Sequence, residues 1–200
     1  MPTLRWIAPL LLIWLSLSGP SRAASFDLDT LMRSLAQVKS GEATFVEKRQ
    51  VAQLDQTLES SGRLSFSAPD TFVRETLKPR RERLAVVGNQ LTMSQNSRSR
   101  STTLDSVPEA AVIVEAIRGT LTGNRETLER YFTTQLSGAA ERWQLDLVPR
   151  EARLRGQVAQ LRVSGRQGQL QEVQMTMADG DRSVMQITPV AESRPDGERP

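Results

Sequence analysis

The chain has 200 residues with no cysteine and no histidine, which excludes Ser-His-Asp and Cys-His nucleophiles, histidine-held zinc, a disulfide frame and a thiol-borne lipid anchor. A pI near 9.9 invites nucleic acid. However, Arg5 and Arg22 fall in an N-terminal leader, and the 24 basic and 23 acidic residues left beyond it make no electrostatic footprint for such a partner.

The leader comes first in chain order. Arg5 supplies a short basic region, Ile7 to Leu17 is almost wholly apolar, and Gly19-Pro20 precedes the small residues of Ser21-Arg22-Ala23. The apolar run is short of the roughly 20 residues that cross a bilayer, so the pattern predicts a signal peptide over 1–23, cleaved after Ala23. One domain over 24–190 is expected to follow, then a disordered tail over 191–200, which is polar with two prolines and a glycine.

Asp27 predicts the cap of a helix whose Leu28, Leu31, Met32, Leu35 and Val38 form one apolar stripe, with Gly41 ending it. Glu42 to Gln53 reads as a bent strand. From Leu58 to Ala68, Leu64 and Phe66 alternate with Arg63, Ser65 and Ser67, the period of a sheet with one wet face. Pro69-Asp70 then turns into Phe72 to Leu77. After Pro79 and a basic turn come Arg83 to Val87, a Gly88-Asn89 hairpin turn, and Leu91 to Ser94. Ser97 to Ser101 reads as low complexity.

Pro108 stands where a helix begins, and the residues from Ala110 to Leu121 are apolar on most of the helix surface, so this helix needs burial on two sides. Gly123 closes it and Asn124 caps a shorter helix through Tyr131. Sheet returns from Phe132, with Trp143, Leu145 and Leu147 alternating before Pro149, then Leu161 and Val163, Gln169 to Met177, and Val184 to Ile187. Turns fall at 165–168 and 178–181.

This order predicts an α+β fold: one strongly curved antiparallel sheet with helices over its concave side. The inward candidates are mostly Leu, Val and Met, which adapt to a flexible apolar guest or simply fill a core. Two carboxylates acting as in glycosidases remain conceivable through Glu47, Asp55, Glu75, Asp146 and Glu172, although their spacing singles out no pair. The basic runs from Lys78 to Arg83 and at Arg98 and Arg100 read as solvated turns or as a patch for anionic lipid or a membrane protein.

Four pieces in order carry a resemblance. They are Ala43-x-Phe45, Gly62-x-Leu64-x-Phe66-x-x-Pro69-x-x-Phe72, Lys78-Pro79, and Leu84-x-Val86-x-Gly88-x-x-Leu91. Together, at these spacings, the chain to about Ile187 resembles the LolA-like outer-membrane lipoprotein carriers. The resemblance implies an incomplete β-barrel with a helical lid, working as a monomer in the periplasm, without cofactor or catalysis. It implies a cavity that takes the acyl chains of a lipoprotein or other lipid cargo between an inner-membrane donor and an outer-membrane acceptor. On it, Leu31, Leu35, Ile113 and Ile117 belong to the lid, and Phe45, Leu64, Phe66, Phe72, Leu84, Val86, Leu91, Met93, Trp143, Leu145, Met175 and Met177 line the cavity or form ordinary core. The sequence departs from the family where an arginine that helps hold the lid falls at Ala68, where Arg-Trp is Val73-Arg74, and where hairpin aromatics are Thr92 and Met93. The alternative functions are a sensor or assembly factor that binds acylated protein or peptide without shuttling it and, further off, a carboxylate hydrolase.

Overall fold

The computed structural model describes residues 26–53 and 56–190. The expected signal peptide at 1–23, the tail at 191–200 and the candidate carboxylate Asp55 lie outside the described residues.

Helix α1 spans Leu28–Leu35, and the Asp27 carboxylate accepts from the Thr30 amide at 2.8 Å, the cap the sequence predicts. The helix stops earlier than expected. Val38 lies beyond it, and Gly41, expected as its terminator, sits inside the first strand. Six strands follow: β1 (Ser40–Gln50), β2 (Thr57–Ser67), β3 (Thr71–Lys78), β4 (Glu82–Val87), β5 (Gln90–Gln95) and β6 (Arg98–Thr103). The last runs through the low-complexity stretch Ser97 to Ser101, where the sequence pattern predicts no strand. Its Ser and Arg side chains bury nothing, so no alternation betrays it, yet it pairs residue for residue with β5.

A short 3-10 turn at Leu104–Ser106 leads into α2 (Pro108–Leu121), with proline in its first turn, and α3 (Arg125–Tyr131), where Asn124 accepts from the Thr127 amide at 2.9 Å. Between them Gly123 takes φ +63, and a Cβ there would collide with the Met32 carbonyl of α1. Glycine thus both ends α2 and lets α1 approach it. The chain then forms β7 (Phe132–Ala139), β8 (Arg142–Pro149), a single turn of helix α4 (Ala152–Arg155), β9 (Val158–Arg166), β10 (Gln169–Met177) and β11 (Arg182–Pro189).

The eleven strands of the described residues join one antiparallel sheet in the order β6-β5-β4-β3-β2-β1-β11-β10-β9-β8-β7, so the fold is α+β and the sheet is open. β6 and β7 are neighbours in sequence and yet form the two opposite edges. The segment carrying α2 and α3 therefore crosses the whole sheet.

One face of the sheet is apolar and carries the helices. Leu31, Met32 and Leu35 of α1, Val112 and Ala116 of α2 and Leu128 of α3 pack with Phe132, Trp143, Leu145, Leu147, Leu161 and Val163 of β7 to β9 in the main core. A second, smaller cluster joins Val86, Leu91 and Leu104 to Val114 of α2, with Phe72, Leu84, Ala110 and Ala111 against it. Trp143 is fully buried, and its indole N–H donates to the Gln167 carbonyl at 2.8 Å, which satisfies the ring's one polar atom.

Candidate functional site

Helix α2 is the element both clusters share. Val112 and Ala116 are four residues apart and fall on one face, toward the main core, whereas Val114 points to the opposite side, into the smaller cluster. This is the two-sided burial that its all-round apolar sequence demands. The Thr120 hydroxyl is fully buried and donates back to the Ala116 carbonyl at 2.7 Å, so even the polar residue in its path is satisfied within the helix.

One side chain ties α2 to the sheet through polar atoms. Arg118 donates from Nη2 to the Gly88 carbonyl in the β4–β5 turn at 2.6 Å, and from Nη1 to Glu115 at 2.6 Å. Its side chain keeps 24% of its exposure, so water can compete for these bonds. Beside it, Phe66, Phe72, Val86, Val114 and Ile117 line a pocket whose free volume is about 10 Å³, the room of about one water molecule.

The middle of the same face behaves differently. Phe45 on β1 and Leu64 on β2 are buried but belong to neither cluster. The Arg74 guanidinium lies 4.7 Å from the centre of the Phe45 ring, donates to Glu47 at 2.6 Å and to Ser60 at 3.3 Å, and leaves its buried Nε without a partner among the described residues. A charged pair thus stands inside an otherwise apolar face.

The expected lining residues are therefore divided. Trp143, Leu145, Met175 and Met177 sit in the main core with Leu31 and Leu35 of α1. Phe72, Leu84, Val86 and Leu91 belong to the smaller cluster, with Phe66 at the pocket beside them. Ile117 faces that pocket, Ile113 is half-buried one turn earlier, and Met93 is 39% exposed. These side chains share the helix-covered face, and the pocket of about 10 Å³ beside Arg118 takes in Phe66, Phe72, Val86 and Ile117 of them.

The opposite face is polar. A depression of about 250 Å³ is lined by Gln160, Arg162, Gln174, Thr176 and Arg182. Asp146 beside it accepts from Arg162 at 2.7 Å, Gln160 at 2.8 Å and Gln144 at 2.9 Å, and Glu172 accepts from Gln174 and Gln186. Of the candidate carboxylates, Glu47 is thus on the helix-covered face, bound to Arg74, while Asp146 and Glu172 stand on the other side under cation or amide donors. Glu75 faces Arg63 and Arg83 across its strand pairs. Among the described residues no cluster of carboxylates could hold a metal ion, and no helix is long and apolar enough to cross a membrane.

Asp181, buried in the β10–β11 turn, accepts from the Ala52 amide at 2.9 Å and from Arg49 at 2.7 Å. The amide first and then the guanidinium hold its carboxyl below the ordinary value of 3.8. It fastens one turn to another.

The sequence reading gave Arg118 no part. The signal was present, since Arg118 lies one helical turn after Val114, on the side that faces the hairpin. In the sequence Arg74 stands out only as a departure from the family, because its pairing with Glu47 requires the register of three strands.

The family model for outer membrane lipoprotein carrier protein LolA-like matches residues 20–194. No curated protein matches the sequence. Similar solved structures include the LolA superfamily protein NE2245 from Nitrosomonas europaea (9% identity, TM-score 0.45, 80% of this chain and 89% of that one) and a DUF1329 family protein from Desulfovibrio piger (9%, 0.47, 81% and 89%). LprF from Mycobacterium bovis is also similar (8%, 0.35, 80% and 91%). The weight rests on the family match, which spans nearly the whole chain.

Proposed function

This chain belongs to the LolA-like family of outer membrane lipoprotein carrier proteins, and from that premise we propose that it binds the acyl chains of a lipoprotein or other lipid cargo beneath helix α2 and carries them through water between two membranes. On this reading the leader is removed near Ala23, residues 24–190 form a single carrier domain, and the protein works as a monomer in the periplasm, between an inner-membrane donor and an outer-membrane acceptor.

The observation that carries the proposal is the setting of α2, a short helix with apolar side chains on opposite faces, wedged between two clusters of one sheet. In a flat sheet with strands about 4.8 Å apart, β4 and β9 would lie roughly 29 Å from one another. Val112 and Val114, only two residues apart on α2, pack into the clusters that hold those two strands. This supports a sheet strongly curved around the helix as an incomplete barrel, with α2 as a plug in its mouth and α1 beside it. The pocket of about 10 Å³ takes no hydrocarbon tail, so the hollow expected from the sequence must open when α2 moves.

Cargo chemistry favours such a device. A sixteen-carbon chain left in water costs about 12 kcal/mol at roughly 0.8 kcal/mol per methylene, which demands a carrier that shields it and a lid that yields. Arg118 then takes the latch role that the resemblance gives to an arginine at the position of Ala68, with the direction reversed: the lid supplies the guanidinium and the sheet supplies the carbonyl. The lining on this reading comprises Phe45, Leu64, Phe66, Phe72, Leu84, Val86, Leu91 and Met93, with Trp143, Leu145, Met175 and Met177 on the far wall.

The test is lipid mass spectrometry on the protein purified without detergent, followed by incubation with acceptor membranes. A carrier copurifies with acyl cargo and surrenders it. Cargo that is held but never surrendered would replace transport by a sensor or assembly role, and an empty protein that takes up no acyl probe would refute the proposal.

A further inference from the structure

The fold gathers six basic residues around the β3–β4 and β5–β6 turns, at one end of these neighbouring strands. Lys78, Arg80 and Arg81 lie at the β3–β4 turn and Arg83 follows on β4, while Arg98 and Arg100 begin the edge strand β6. The register aligns Glu82 with Gln95 and Arg98, and Leu84 with Met93 and Arg100, so both turns project from the same end. All six basic residues are exposed, and none forms an ion pair among the described residues. Glu82 and Glu75 are the acidic residues of these four strands. The whole chain carries a formal net charge of only +3, and these six residues less the two glutamates already exceed it.

Arginines on β6 have a simple use, since charge on an edge strand discourages pairing with other sheets. That does not account for Lys78, Arg80, Arg81 and Arg83, which flank strands with neighbours on both sides. We infer that this end of the sheet is a docking surface for an anionic lipid membrane. Clusters of four to eight basic side chains are what such surfaces attract. The charges are spread over two turns and a strand, and neither pocket described above lies among them, so the surface offers diffuse charge to a diffuse partner rather than a shaped slot to a peptide. Met93, 39% exposed between Leu84 and Arg100, adds an apolar contact at its margin.

The inference stands apart from the carrier reading, because a protein with no acyl cargo would still dock. The experiment is cosedimentation of cargo-stripped protein with vesicles of phosphatidylcholine alone or mixed with phosphatidylglycerol. Binding should require phosphatidylglycerol and weaken as salt shortens the Debye length. With roughly a fivefold contribution from each basic residue near such a surface, the triple variant Arg80→Ser, Arg81→Ser, Arg98→Ser should lose about a hundredfold in affinity. A variant that removes the same charge elsewhere, Arg142→Ser, Arg153→Ser, Arg166→Ser, should bind as the parent does. Equal binding to neutral vesicles, equal loss in the two variants, or capture by a polyglutamate peptide without any vesicle binding would each overturn the inference, the last in favour of an acidic protein segment. Because every substituted residue is exposed, a melting curve matching the parent's keeps the comparison valid.

Discussion

Replacing Arg118 with alanine should make the protein less stable and a better binder. The change removes the guanidinium bonds to the Gly88 carbonyl and Glu115, both at 2.6 Å. Hydrogen bonds to a charged group contribute about 1.5–3 kcal/mol, and the low end applies because the side chain is 24% exposed. About 1.4 kcal/mol is a tenfold change, so the ratio of displaced to seated α2 should rise about tenfold. Hydrogen exchange read by mass spectrometry should quicken by about that factor over 108–121, while β8 and β9, in the main core, keep their protection. If acyl chains enter only the displaced state, the apparent Kd for a fluorescent fatty acid should fall by the same factor, since apparent affinity scales with the competent fraction. Glu115→Gln, which spares the Gly88 bond, should do neither. Unchanged exchange in α2, or loss of protection spread evenly over the sheet, would refute the latch.

Other perturbations test the frame around it. The lowered Asp181 pKa means that its bonds stabilise the fold above the unfolded-state value and are lost as pH falls below about 3.8, so the melting temperature should drop on acidification in that range. Asp181→Asn should flatten that drop; a variant as acid-sensitive as the parent would place the effect elsewhere. Gly62→Ala sets a methyl against the Glu75 carbonyl across the β2–β3 pair and should cost about 3 kcal/mol, or about 10 °C in a thermal melt followed by circular dichroism. Leu64→Glu puts a carboxylate opposite Arg74, which can receive it, so the protein should fold yet lose acyl retention at least about tenfold; full retention in a probe-displacement assay would remove Leu64 from the lining.

What the sequence discloses is the part of the fold written in local patterns. Asp27 and Asn124 cap their helices through side-chain oxygens within three residues, and Gly88-Asn89 turns its hairpin, because each depends on neighbours along the chain. The apolar girth of α2 announces burial on both sides before any partner is known. Edge strand β6 escapes notice for the converse reason: its backbone pairs with β5 while its side chains stay in water, so the pairing leaves no trace in hydropathy. The candidate site is half legible. Period-two alternation says that Phe45, Leu64 and Phe72 share a face, but whether they enclose a void depends on how closely the opposing atoms approach, and no residue pattern encodes that distance. Arg74 and Glu47 show the same limit, since they meet only through the registers of β1 with β2 and β2 with β3.

The smallness of the pocket also bears on how such a carrier would release what it holds. Opening exposes the side of α2 that faces the smaller cluster, chiefly Val114 and part of Ile117, and each such side chain contributes about 1.5–3 kcal/mol when fully buried. Opening on that side alone therefore costs at most about 3–6 kcal/mol, with the Arg118 bonds added. A sixteen-carbon chain taken out of water returns about 12 kcal/mol, so capture is downhill once the helix has yielded. The reverse step is uphill by the difference unless an acceptor offers the chain another apolar home. Loading would then be spontaneous wherever a donor exposes an acyl chain, whereas unloading would demand contact with the acceptor, and a helix that refills its own groove favours the empty state after transfer. Cargo that leaks into buffer as fast as it passes to membranes would contradict this ordering, because it would mean that the groove never held the chain more firmly than α2 does.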